Sequence, residues 1–257
     1  IQFLAKNNRV MVIECNLRAS RSFPFSSKVT GYNFIEIAFE SMLAMTTGKV
    51  TKRGKELLSK NDYKTLDLDH VGVKSPQFSF PRLKGADPVL GVEMASTGEV
   101  ACFGDDLYEA FLKSTISVGF EIPKKGVLFS IGGPKEKGEL LNTAKKFHKM
   151  GFKLFGTEGT SEFFLKNGIP CNKLYKISAG KSPNILEAMA KREFDLIVNI
   201  PKNYSRNIMT DGYIIRRKSV DLNIPLVTNV QVAKIIAEAL NRYKLDDLKV
   251  KAISEYF

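Results

Sequence analysis

Tryptophan is absent from this chain, and cysteine and histidine are nearly so, at three and two residues. Cys15, Cys102 and Cys171 stand far apart and form no CxxC pair. With only His70 and His148 beside them, a structural zinc site is not expected. A sparse, odd cysteine count suits a reducing compartment. No apolar run approaches the ~20 residues that a membrane-spanning helix needs, and no basic-then-apolar stretch of the secretory kind opens the sequence. Internal repeats and low-complexity tracts are also missing.

What is present is ordinary for a globular protein, with 44% hydrophobic and 26% charged residues. A length of 257 residues is long for one core and comfortable for two modest domains. The sequence begins with "IQFLAK", a strand already under way and no initiating Met, as expected of a piece of a longer protein. The net charge of +12 points to an anionic partner. The lysines are spread over many surfaces, as in "KKFHKMGFK" and "PKKG", and no aromatic-studded basic stripe or reading motif accompanies them. Small phosphorylated ligands are therefore expected, and nucleic acid is not.

Two grammars divide the chain. Residues 1–118 read irregularly: a strand in "VMVIECN", an amphipathic helix in "YNFIEIAFESMLAMTTG" ended by Gly48, and a polar segment "KVTKRGKELLSKNDYKTLDLDH". An edge-like strand "VGVKSPQFSF" carrying Pro76 follows, and then a helix "DDLYEAFLKSTIS" with Asp106 and Glu109 at capping-box spacing. After "GFEIPKKG", strands alternate with helices. "GVLFSIG", "FKLFGT", "CNKLYKIS", "FDLIVNI" and "IPLVTN" are the strands. "EKGELLNTAKKFHKMG", "SEFFLKNG", "NILEAMAKRE" (opened by Ser182 and Pro183), "GYIIRRKSVDLN" and "VQVAKIIAEALNRY" are the helices. Five short apolar strands in this order predict a parallel sheet covered on both faces, over residues 119–257.

In "MVIECNLRASRSFPFSSKVTG", Glu14 and Asn16 lie two apart on one face of a strand. A carboxylate beside a carboxamide suits a hard cation such as magnesium, and Arg18 and Arg21 add forked donors for phosphate or carboxylate. The same string also reads as a charged surface loop after a strand. With "QF" in front of it, this stretch resembles the end of the second ATP-grasp unit of the carbamoyl phosphate synthetase large subunit. "KSPQFSFPRLKGADPVLGVEMASTGEVACFGDDLYEAFLKS" resembles the segment that follows in the same subunit, and the likeness runs collinearly over the chain.

The resemblance implies an α/β protein: a partial ATP-grasp α+β segment over residues 1–118, then a methylglyoxal synthase-like, Rossmann-type regulatory domain over 119–257. It implies Gln2, Glu14 and Asn16 as ligands of Mg2+ (or Mn2+), with Arg21 touching nucleotide or phosphate and Arg18 supporting it. The parent activity would be an ATP-dependent ligase reaction. Glutamine or ammonia, bicarbonate and ATP give carbamoyl phosphate for pyrimidine and arginine biosynthesis. Most of an ATP-grasp unit is missing from this sequence, so the piece alone is expected to be inactive. Its implied partners are the rest of the large subunit and a glutaminase subunit or domain, in the cytoplasm, with a mitochondrial urea-cycle setting second. Glu93, Ser96, Thr97 and Glu99 of "GVEMASTGEV" are expected to serve packing rather than chemistry.

Further on, Thr157 and Thr160 in "GTEGTSEF" sit where a strand gives way to a helix. Hydroxyls and free backbone N–H groups at such a place suit a phosphate, although threonine also simply caps helices. Lys137, Lys176 and Asn199 fall at or just past other strand ends, where they are expected to converge on the same crevice. The resemblance implies Lys137, Thr157, Thr160 and Lys176 at an effector's phosphate and Asn199 at its nucleoside side, with Arg216 or Arg217 at the rim. Ser75 stands where ornithine-activated relatives carry a glutamate. "NIPKN" is closer to the pattern of acetylglutamate-activated enzymes, yet Lys202 replaces their asparagine and their tryptophan has no counterpart. A nucleotide, uridylate or inosinate, is therefore favoured over acetylglutamate. Two other readings are a free-standing methylglyoxal synthase, with Asp195 or Asp211 as its acid/base group, and an interaction module built on the first 120 residues. Neither aspartate has the glycine-rich context of that enzyme.

Overall fold

The computed structural model describes residues 1–20, 22–59, 68–91, 95–202 and 210–256. Arg21 and Glu93 lie outside the described residues. Two compact units are formed, Ile1–Val71 with Lys251–Phe257, and Gly72–Val250.

In the first unit, β1 (Gln2–Lys6) and β2 (Arg9–Glu14) form an antiparallel hairpin. Its turn is Asn7–Asn8, with φ of 51° and 57°. Asparagine tolerates these left-handed angles, and two in a row match the twist of a two-residue hairpin loop. The register slips by one residue between Gln2 and Phe3, so that Phe3 faces Val12 but Gln2 faces Glu14. Three helices follow: α1 (Phe23–Thr30), α2 (Phe34–Thr47) and α3 (Lys52–Ser59). Asn33 caps α2 by accepting the Glu36 amide at 3.2 Å, and Gly48 ends it at φ 68°. The third helix lies inside the polar stretch that the sequence leaves unassigned; Arg53 Nε ties it to Glu36 of α2 at 2.8 Å.

The second unit opens with β3 (Val71–Gln77) paired to β4 (Gly98–Gly104), followed by α4 (Leu107–Ser117). Asp106 caps α4 through the amides of Tyr108 and Glu109, both at 2.8 Å. The expected reciprocal bond is absent: the Glu109 carboxylate takes the amide of Asp105, one residue earlier, at 2.6 Å.

Then come β5 (Gly126–Ile131), α5 (Pro134–Glu139), α6 (Leu141–Lys149), β6 (Lys153–Thr157), α7 (Glu158–Lys166), β7 (Asn172–Leu174), α8 (Ile185–Ala190), β8 (Leu196–Ile200), α9 (Asp211–Asp221), β9 (Leu226–Val227) and α10 (Val230–Arg242). All five strands pair parallel, in the order β7-β6-β5-β8-β9. Alternation along β5 divides the core. Val127, Phe129 and Ile131 pack with Phe147, Phe164 and Ile236 on one face, and Leu128 packs with Ile185, Met189 and Ile215 on the other. Both faces are thus apolar and helix-covered, as expected of a parallel sheet.

Three element boundaries differ from the sequence reading. The helix through "EKGELLNTAKKFHKMG" starts earlier, at Pro134, and breaks at the fully buried Leu140. Pro183 does not occupy the first helical position of α8, because Asn184 is the cap and exchanges side-chain-to-backbone bonds with Glu187. The strand through "CNKLYKIS" ends at Leu174, and the chain turns into a short 3-10 stretch where Asp211 takes both the amide (2.9 Å) and hydroxyl (2.6 Å) of Ser178.

Candidate functional site

Two groups of the expected residues meet, one in each unit. In the first unit the slipped register of the hairpin sets Gln2 opposite Glu14, and Asn16 Nδ2 donates to Glu14 Oε1 at 3.1 Å. The three side chains therefore gather at one end of the hairpin, all exposed. Asn16 spends a donor in this contact. Its Oδ1, the second Glu14 oxygen and the Gln2 carboxamide oxygen remain as hard donors, a set that fits a divalent cation holding several waters. Arg18 lies just beyond, exposed on a bend.

In the second unit, the carboxyl ends of β5, β6 and β8 open on a cavity of about 420 Å3, within the ~300–1,000 Å3 usual for small-molecule sites. Lys137, Thr157, Thr160, Lys176 and Asn199 all line it. Each reaches it for a local reason. Thr157 ends β6 and is the cap residue of α7, but its hydroxyl makes no capping bond. It donates instead to Thr160 Oγ1 at 3.1 Å, and Thr160 accepts the Ile131 amide at 3.3 Å. Lys137, on α5, donates its Nζ to the carbonyl of Gly159 at 2.8 Å, in the first turn of α7. A Cβ on Gly159 would stand 3.3 Å from that Nζ, so glycine leaves room for the ammonium. Asn199, only 2% exposed, accepts from Arg216 Nη1 at 2.9 Å.

Lys137, Lys176 and Lys202 bring positive charge to the cavity. Arg216 also lines it, but Asp87 neutralises its guanidinium through Nε at 2.7 Å and Nη2 at 2.6 Å. Asp211, also in the lining, accepts the Ser178 amide and hydroxyl and keeps its negative charge. Three lysines against the single carboxylate of Asp211 in the described lining, together with the start of α7, make an anion-binding crevice. Arg217 points elsewhere and donates to the carbonyls of Phe80, Leu83 and Ala86.

Two further sequence readings receive a structural account. Asp195 caps the amides of Lys124, Lys125 and Gly126 before β5, at the opposite end of the sheet from the cavity. A structural cap of this kind offers no acid/base group to a ligand at the strand ends. Ser75 is buried and hydrogen-bonded to the equally buried Ser114 at 2.8 Å, leaving no carboxylate for an amine at that position.

Sequence reasoning passed over Gly132 and Asp87. A Cβ on Gly132 would fall 2.5 Å from the Lys202 amide nitrogen, so glycine there lets the chain after β8 close over the end of β5. The signal was legible as a Gly-Gly-Pro run directly after an apolar strand. Asp87 left none, standing 129 residues from its partner.

Residues 139–228 match the MGS-like domain, and residues 1–47 match the carbamoyl-phosphate synthase L chain, ATP binding domain. Multifunctional protein URA2 of Saccharomyces cerevisiae is 47% identical over 251 residues, which is 94% of this chain and 11% of that protein. Multifunctional protein pyr1-3 of Dictyostelium discoideum is 48% identical over 249 residues, 95% of this chain and 11% of its own length. The mitochondrial carbamoyl-phosphate synthase (ammonia) of Homo sapiens is 43% identical over 253 residues, 97% of this chain and 16% of its own. The chain thus spans 11–16% of the length of these relatives. With a match to that family's ATP binding domain at its start, a match to the MGS-like domain further along and near-complete alignment to such proteins, the chain belongs to the carbamoyl-phosphate synthase family and carries its MGS-like domain.

Proposed function

We propose that this chain is the effector-sensing end of an ATP-dependent ligase that makes carbamoyl phosphate, with a division of labour at residues 118 and 119. Residues 1–118 contribute to the carbamate-phosphorylating site and 119–257 bind a small anionic effector, a nucleotide such as uridylate or inosinate. The observation that carries the effector reading is the convergence of Lys137, Thr157, Thr160, Lys176 and Asn199 on one lysine-rich cavity. The lysines and the start of α7 hold a phosphate, and Asn199 meets the nucleoside.

At the hairpin, Glu14 supplies the one carboxylate and Gln2 and Asn16 the neutral oxygens for Mg2+ or Mn2+. Arg18 and Arg21 offer planar donors to phosphate. A magnesium ion held by these residues would supply positive charge to the phosphate during phosphoryl transfer. The side chains of this unit orient and pair charge, and the remainder of the site belongs to the rest of the large subunit, with glutaminase as a further partner. The chain alone is inactive in this reading. Among the described residues no helix is long and apolar enough to cross a membrane. We place the protein in the cytoplasm.

Calorimetric titration of the 257-residue chain with uridylate, inosinate and acetylglutamate, repeated on Thr157→Ala, tests the effector reading. Nucleotide binding that Thr157→Ala weakens at least tenfold supports it. Acetylglutamate binding alone moves the chain to the urea-cycle type of synthetase, which Asn199 and Pro201 in "NIPKN" favour. Silence from all three ligands sinks the assignment.

A further inference from the structure

Asn199 and Arg216 belong to the domain that carries the cavity, whereas Asp87 comes from the irregular segment between β3 and β4, 129 residues before Arg216. The three side chains form one chain of bonds. Asp87 takes Arg216 Nε and Nη2 with its two oxygens, at 2.7 and 2.6 Å, the two-pronged geometry that fixes a guanidinium in its plane. The remaining nitrogen, Nη1, donates to Asn199 Oδ1 at 2.9 Å. Arginine has donors only, so the Asn199 atom facing it must be the oxygen. Among the described residues no buried side-chain nitrogen lacks a partner, and Asn199 Nδ2 has no protein acceptor. Nδ2 therefore opens on the cavity. The seat is tight, since a Cβ on Gly212 would stand 3.0 Å from Arg216 Nη1.

We infer that Asp87 is a positioning residue for the cavity: by locking Arg216 it turns the Asn199 carboxamide so that its NH2, and not its oxygen, meets the ligand. The inference rests on the reading of the cavity as a nucleotide site. With Asn199 so turned, Lys137, Lys176 and Asn199 all offer donors, and the ligand must present acceptors to each. A nucleobase with a carbonyl oxygen at the Asn199 end is accepted. One with an amino group there leaves two donors facing one another, which a desolvated site rejects strongly. A residue outside the parallel-sheet domain thereby sets which base that domain selects.

The test compares uridylate with cytidylate, which differ by a carbonyl against an amine, and adds inorganic phosphate, in calorimetric titrations of the full chain. The wild type is expected to prefer uridylate over cytidylate by about tenfold or more, the effect of one well-placed hydrogen bond. Asp87→Asn keeps the shape but not the two-pronged charge, and is expected to reduce that preference to about threefold or less without weakening phosphate. Arg216→Lys, which keeps the charge and loses the fork, is expected to behave alike and serves if the first variant folds poorly. Preference retained in both variants overturns the inference. So does parallel weakening of phosphate and uridylate, which marks a merely structural contact. A ligand-free arm separates this inference from the nucleotide reading. In 15N spectra of the chain, Asp87→Asn is expected to move the Asn199 side-chain NH2 and Arg216 Nε–H signals. Unmoved Asn199 signals overturn the inference whatever binds. A wild type that binds no nucleotide overturns the nucleotide reading, while signals that follow Asp87 leave the positioning role standing.

Discussion

Thr157 donates its hydroxyl to Thr160 across 3.1 Å, and the two neighbours do different work. Thr160 is fully buried and accepts the Ile131 amide, so its oxygen joins the start of α7 to the end of β5. Thr157 makes no capping bond and faces the cavity. Thr160→Val is therefore expected to lower unfolding free energy by about 1–3 kcal/mol, the cost of losing a buried acceptor. Thr157→Val is expected to cost under about 1 kcal/mol yet weaken the bound anion about tenfold. Urea unfolding and calorimetry on both variants separate the roles, and equal stability losses with equal affinity losses would contradict the division.

Why the parallel sheet was legible and the Asp87 link was not follows from how information is laid along the chain. Val127, Leu128, Phe129 and Ile131 declare a strand buried on both faces within six residues, because local alternation and burial coincide. Thr157, Thr160 and Asn199 could be placed at strand ends by the same local grammar. Boundaries were harder wherever a distant partner decided them. Ser178 turns the chain after β7 because Asp211 holds it, 33 residues later. Asp87 is a further step removed, since its meaning depends on Arg216, which depends in turn on Asn199. Gln2 and Glu14 were grouped as ligands only through family likeness, because the one-residue slip that sets them opposite each other has no signature in residue type.

That slip carries a prediction of its own. If Gln2, Glu14 and Asn16 hold a divalent cation, Mn2+ should enhance water proton relaxation in solutions of the chain. Glu14→Gln removes the one carboxylate and is expected to weaken the ion about tenfold or more. Asn16→Ala loses one neutral ligand and the 3.1 Å bond that orients Glu14, and a smaller loss is expected. An enhancement that both variants leave intact would locate the ion elsewhere.

The three cysteines differ sharply in surroundings. Cys15 is exposed, Cys102 half-buried and Cys171 buried. Burial pushes the Cys171 thiol up to about 12, so almost none of it is thiolate at pH 8. Iodoacetamide followed by mass spectrometry should label Cys15 first, then Cys102, and Cys171 only in denaturant. Early labelling of Cys171 in buffer would show that the face around β6 and β7 opens.

Glu109 ties α4 to the chain end of its unit, and its charge state governs how that tie responds to acid. Its side chain is almost wholly buried. Oε1 lies 2.9 Å from Lys113 Nζ and 3.3 Å from the Lys249 amide, and Oε2 takes the Asp105 amide at 2.6 Å. Burial by itself would raise its pKa, but the bonds from Lys113, Asp105 and Lys249 together outweigh it and hold the carboxyl below the ordinary range. A carboxyl depressed in the folded state stabilises the fold above its unfolded pKa, about 4.3, and that contribution disappears as pH falls through the folded value. Glu109→Gln is therefore expected to lower stability at pH 7 and to flatten the acid limb of a stability–pH curve. Lys113→Met leaves the buried carboxylate without its cation and is expected to cost about 3 kcal/mol at pH 7. That deficit should shrink towards pH 3, where the variant's Glu109 is protonated. Urea unfolding at pH 7, 5 and 3 reads both effects. A deficit for Lys113→Met that stays constant across this range would mean that lost packing of the lysine stem, and not the ion pair, is what the helix depends on.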